Sequence, residues 1–290
     1  MAAPNPKLVG LYRFTSLARP IDPAYLSNRA LLIILPLLAL LSAGLASLHD
    51  PGSGPLSAAI SGALVGFVAW ALTRELAPDF NSDAFVALTL AWVGTIVFGM
   101  DQVLLVFVGL LLVRIVNRST GLPSRPFDTL SVLGFCIWAA DSTQQPMILL
   151  VASVAFALDA TLKNPLRHHY FASVACLSVF IWMQFNSIAG TAVDLTARDW
   201  VLIGLSAGGL VLFGKKNPGP VSYCDTSPVS LDRMRVNAGL IVVWLLAVQA
   251  LLTDGRSNWL QTPVWICIFA VLILFVIRLT KGQLKSMHVD

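Results

Sequence analysis

Charge is scarce in this sequence: 12% of its 290 residues are Asp, Glu, Lys or Arg, and Glu75 is its single glutamate. With 57% hydrophobic residues and a mean hydropathy of +0.78, that scarcity excludes an ordinary soluble domain. Cysteine is equally thin. Cys136, Cys176 and Cys267 lie within apolar runs and Cys224 in a polar break, so neither a disulfide framework nor a metal-ligand spacing is present. The alternating pattern of a membrane β-barrel is missing too, because the apolar runs are continuous. The first 30 residues lack a signal peptide's charged start, apolar centre and small-residue cleavage site. No Asp, Glu, Lys, Arg or His lies near the middle of any apolar run, which argues against a proton pump, a charge-relay antiporter or a voltage sensor.

What is present is a series of ten apolar runs, at 30–48, 56–72, 84–99, 102–116, 129–140, 146–162, 171–187, 200–213, 236–252 and 263–279. They predict an all-α, polytopic integral membrane protein with about ten transmembrane helices arranged as antiparallel hairpins. Several runs fall short of the ~20 residues of a full span, and 129–140 is the weakest. With both termini inside, seventeen of the nineteen Lys and Arg residues fall on the cytoplasmic side, Arg198 and Arg256 being the exceptions. A bacterial-type cytoplasmic membrane is the expected location. The net charge of +4 follows from that bias and calls for anionic lipid head groups, not nucleic acid, as partners.

The chain divides into a cytoplasmic or interfacial segment (1–29), an eight-helix body (30–213), a cytoplasmic loop (214–235), a final hairpin (236–280) and a cytoplasmic tail (281–290). Leu8, Val9, Leu11, Tyr12, Phe14 and Leu17 can lie along the inner interface. The outer turns, such as HDPGSGP, Met100 with Asp101, and DSTQQ, are short enough to force hairpins. The inner ones look alike: LAPDFNSD, GLPSRPFD, KNPLRHHY and GPVSYCD carry Pro78, Pro123, Pro165 and Pro220, with Asp83, Asp128, Tyr170 and Asp225 five positions later. That suggests a repeated two-helix unit.

The densest charge lies in TRELAPDFNSD, residues 73–83. Most of it reads as helix-boundary chemistry. Arg74 complements a helix C-terminus, as do Arg114, Lys163, Lys215 and Arg278, while Asp83 and Asp128 are placed as N-caps. Asp79 and Asp83 also form an Asp-x-x-x-Asp pair that could hold Mg²⁺ with the oxygens of a diphosphate; no other cofactor is evident. Here the sequence resembles the UbiA-type prenyltransferases, through this pair after the second helix, Asp159 in LDATLKNP after the sixth, and VNRSTGLP after the fourth. The resemblance implies an intramembrane enzyme with Asp79, Asp83 and Asp159 on metal and Arg74, Arg118 and Lys163 on phosphate. Lys163 stands where that family repeats Asp, its first motif is richer in Asn and Asp, and it has nine spans.

His168 and His169 read as an interfacial pair, His49 and His288 have no obvious partner, and Trp138, Trp182, Trp200, Trp259 and Trp265 read as an outer aromatic belt. Gly204, Gly208 and Gly209 offer a small-residue packing face. Gln184, Asn186 and Gln249 could bind a neutral or zwitterionic ligand within the membrane. Ten spans with minimal loops resemble in outline the drug/metabolite permeases. The first expectation is therefore a permease or flippase for a neutral or lipid-like solute without built-in ion coupling. The alternatives are the UbiA-like enzyme and a non-catalytic accessory or assembly subunit with membrane-protein partners.

Overall fold

The computed structural model describes residues 12, 14–49, 54–98, 103–186, 195–254 and 263–283. Lys7, Leu8, Val9, Leu11, Arg13, Met100, Asp101, Arg256, Trp259, Lys285 and His288 lie outside them. Within them the chain forms ten α-helices: α1 (Leu26–His49), α2 (Pro55–Leu76), α3 (Asn81–Phe98), α4 (Val103–Asn117), α5 (Pro126–Ser142), α6 (Met147–Thr161), α7 (His169–Asn186), α8 (Ala197–Lys216), α9 (Arg233–Asp254) and α10 (Pro263–Thr280). Each coincides with one apolar run.

Local chemistry sets the ends. Pro55 and Pro126 open α2 and α5, where a missing N–H leaves no bond unmade. Asp199, in the first turn of α8, accepts the Thr196 N–H at 2.8 Å and its hydroxyl at 2.7 Å. Arg74, Arg114, Lys215, Lys216 and Arg278 occupy the last turns of α2, α4, α8 and α10, against the negative end of the helix dipole. Asp83 and Asp128, expected as N-caps, instead lie inside the first turns of α3 and α5. For Asp128 the reason is geometric: from the third helical position its carboxylate reaches back to the Arg125 N–H at 3.0 Å.

Six helices, α1, α2, α3, α8, α9 and α10, are long and apolar enough to cross a membrane. That is the signature of an integral membrane protein. α4 and α6 are apolar but have 15 residues each, about 22 Å of helix against the ~30 Å of a bilayer core. α4 compensates by position, packing against α2, α5, α6, α9 and α10 at the centre of the bundle. α9 contacts α2, α4, α6, α8 and α10, so the two last helices, expected as a final hairpin, rest directly on the body. α1 and α8 lie at the edge. Their spanning residues are 17% and 11% buried, against 67% for α9.

Two packing expectations need correction. Trp265, assigned to an outer belt, is fully buried and stacks on Phe269 with ring centroids 5.9 Å apart, whereas Trp138, Trp182 and Trp200 are exposed. Of the α8 glycines, Gly209 alone packs closely, against Leu272 of α10; Gly204 and Gly208 face open space. The protein thus uses one small residue where three were expected to join the packing.

Candidate functional site

The ends of α2, α4, α6 and α10 meet the starts of α3, α5, α7 and α9 in one polar layer. Glu75, in the last turn of α2 and 2% exposed, accepts Arg19 Nη1 and Arg114 Nε on the same oxygen, each at 3.1 Å. Arg19 in turn makes a two-pronged pair with Asp225, 2.7 Å on both arms. Burial favours the neutral form of this guanidinium, but Glu75 and Asp225 together hold its pKa above the usual arginine value. Asn117 closes the group by donating to the Glu75 carbonyl at 2.7 Å.

A second hub adjoins it through Arg118, the residue after α4. Arg118 adopts a left-handed backbone, φ 51°, in the position that usually takes glycine after a helix. The conformation sends its guanidinium onto Asp159, with Nε and Nη2 at 2.8 and 2.7 Å. Arg235 of α9 donates Nη1 to the same carboxylate at 2.7 Å, and to the Val116 carbonyl. His169 Nδ1 lies 2.8 Å from Asp159, while Nε2 is 2.9 Å from the Thr129 hydroxyl. Asp159 and His169 are completely buried. Two arginines on one carboxylate leave an excess positive charge in this hub, and removing the carboxylate would strand both.

The segment before α1 and the loop 217–232 are fastened across this layer. Ser16 donates its N–H and hydroxyl to Asp128 at 2.8 and 2.7 Å, Thr120 donates to the Ser16 carbonyl, and Arg114 Nη1 to that of Leu17. The loop folds back on itself through an antiparallel bridge between Tyr223 and Ser230. Thr226 binds the Thr120 carbonyl, and Gly121, with φ 82°, lets Cys224 approach closely; a β-carbon there would come within 2.8 Å of the Cys224 β-carbon. Phe14 is 74% exposed and remains available to an interface.

The carboxylates expected to share a metal have separate partners. Asp79 accepts the N–H groups of Val221 and Ser222, at 3.0 and 2.8 Å, and the Ser222 hydroxyl. Asp83 pairs with Arg278, whose guanidinium also lies 3.7 Å above the Phe80 ring. Asp159 belongs to the second hub. Among the described residues no three His, Cys, Asp or Glu side chains lie close enough to hold a metal ion. This donor arrangement does not fit Mg²⁺ held by the three together. A crevice beside Asp79, lined by Leu76, Pro78, Phe213, Asn217 and Pro220, has a volume of about 20 Å³, room for one water.

Of the proposed phosphate ligands, Arg118 is tied to Asp159 and Lys163 is present through its carbonyl, which accepts Arg235 Nη2 at 2.6 Å. Arg74 donates to Asn28 Oδ1 at 3.0 Å. Gln184 and Asn186 face outward at the end of α7, the latter bonded to the Trp182 carbonyl, while Gln249 is buried on α9 facing Gln145. They are not gathered into one site. Arg19, Glu75, Asp225, Arg235 and His169 carry the layer, yet none of them was among the site residues expected from the sequence. The available signal was Glu75 itself: one glutamate at a rim full of arginines must be compensated by some of them. The chain matches no family model, no curated protein and no solved structure.

Proposed function

We propose that the protein is a permease or flippase for a neutral or lipid-like small molecule, with the polar layer on the cytoplasmic side and no built-in ion coupling. The observation that carries this reading is the neutralisation of the buried carboxylates. Glu75, Asp83 and Asp159 are matched by arginines and Asp128 by hydrogen bonds from Ser16 and Arg125, all at one end of the bundle. A coupled carrier needs an ionisable group that can change its charge within the membrane, and these are locked. The antiparallel hairpins and both termini inside follow from the same placement of basic residues.

Reconstitution into proteoliposomes tests it. Movement of a headgroup-labelled phospholipid or an uncharged solute should be the same with and without an imposed proton or sodium gradient. Gradient-dependent accumulation would sink the uncoupled reading, and absence of movement for both classes would sink transport.

The accessory-subunit reading has one observation in its favour, the scant burial of α1 and α8. Mild-detergent purification decides it: stoichiometric partner chains support a subunit, and a stable lone protein counts against one.

A further inference from the structure

α5 and α6 cross the bundle on a shorter path than the helix beside them. α5 leaves the polar layer at Asp128 and α6 returns to it at Asp159, so the turn 143–146 between them marks the far side. α9 is a ruler for that path. Its Arg235 meets Asp159 at 2.7 Å, and its Gln249 meets Gln145 of the turn at 3.4 Å. The two contacts are about 21 Å apart along α9, which then runs on to Asp254, about 7 Å farther. The turn therefore stops about 7 Å short of the far end of its neighbour, and its approach is polar: Asp141, Ser142, Thr143 and Gln144 are all exposed.

The same step is written on the outward side of α5. This helix packs against α4, α6 and α7 with Thr129, Val132, Cys136 and Ala139 buried. Its opposite side presents Phe127, Leu130, Ser131, Gly134 and Trp138 in a line that ends at Asp141. From Phe127 to Asp141 is about 21 Å. α1, packed against α2 and α3, instead exposes apolar side chains from Leu26 to Leu48, about 33 Å. A bilayer core of ~30 Å matches α1 and overshoots α5 by about 9 Å, which would leave the short side chain of Asp141 in hydrocarbon unless the lipid bends down to it.

We propose that α5 and α6 thin the leaflet far from the polar layer by about 7–9 Å, and that phospholipid headgroups cross the membrane along the outward side of α5. Halfway along that side the Ser131 hydroxyl and Gly134, where a β-carbon would meet nothing within 4 Å, leave a shallow notch. No charged residue stands on this side between Arg125 and Asp141, so zwitterionic and anionic headgroups should move alike. The route deepens the transport reading and rests on it, whereas the thinning rests on the helix geometry alone.

The test uses the full chain in vesicles that mix phosphatidylcholines of short and long monounsaturated chains. Lipids retained on gentle extraction should be enriched about threefold in short chains. Asp141→Leu with Ser142→Leu extends the apolar side by about a turn and should remove the enrichment, while Ser47→Leu at the exposed far end of α1 should not. Movement of headgroup-labelled phosphatidylcholine and phosphatidylglycerol should slow about tenfold in the double variant, and in the wild type as the chains lengthen, a readout that needs no substitution. Equal retention of short and long chains by the wild type would overturn the thinning. Lipid movement unchanged by the double variant would overturn the route even where an uncharged solute still moves. If neither lipid nor solute moves, the route and the transport reading fall together, and the short-chain enrichment still decides the thinning.

Discussion

Arg235 and Asp159, separated by 76 residues, meet at 2.7 Å where the start of α9 crosses the end of α6. That contact draws a helix from the last fifth of the chain into the middle of the bundle, and it does so with charge that the membrane interior would not tolerate unpaired. The other arm of the carboxylate takes Arg118, so three elements depend on one side chain.

Asp159→Asn should accordingly be among the most damaging isosteric changes in the protein. It leaves Arg118 and Arg235 buried without their counter-charge, a loss of about 3–5 kcal/mol. Thermal unfolding in detergent measures it; an unchanged midpoint would mean the pair is idle.

The Asp83–Arg278 pair ties α3 to α10, and Arg278 also covers Phe80. Arg278→Lys should not be a conservative exchange, because the ammonium loses both the fork and the stacking. A double-mutant cycle with Asp83→Asn and Arg278→Gln should give a coupling of about 1 kcal/mol or more. Strict additivity would refute the contact.

Asp79→Ala removes the acceptor for the N–H groups of Val221 and Ser222. The loop 217–232 should become more susceptible to limited proteolysis, at a stability cost of about 1 kcal/mol. Combined with Asp83→Ala, the change should leave solute movement intact. Complete loss of activity in well-folded protein would instead revive the diphosphate chemistry expected of those two aspartates.

Helix packing makes a further distinction between glycines. A methyl group at Gly239 of α9 would collide with Asn117 Oδ1, whereas Gly204 of α8 has nothing within 4 Å. Gly239→Ala should destabilise by about 1–3 kcal/mol. Gly204→Ala should be neutral or stabilising, since alanine is the better helix former. Equal midpoints for the two variants would contradict the close approach of α9 to α4.

His169 shows how residue type misleads when read in sequence alone. Beside His168 and before an apolar run it read as an interfacial side chain, yet it is wholly buried between Thr129 and Asp159. His168 stayed at the surface. His168 precedes α7 and His169 opens it, and nothing local to the pair signalled that His169 would face inward onto Asp159 and Thr129. Trp265 misled in a similar way, because its place near the start of α10 gave no sign that this helix would pack into the body and bury it.

The sequence by itself determined the ten helices and, to within about a turn, their ends, because runs of apolar residues bounded by proline, aspartate and arginine are local signals with local physical causes. It also determined that charge would collect at one set of helix ends. Only the tertiary structure decided which arginine meets which carboxylate. Pairing in a low-dielectric layer is a long-range choice made by helix packing, with partners such as Arg19 and Asp225 separated by 206 residues. That choice gave Asp79, Asp83 and Asp159 separate partners, in the loop 217–232, on α10 and on α4 with α9.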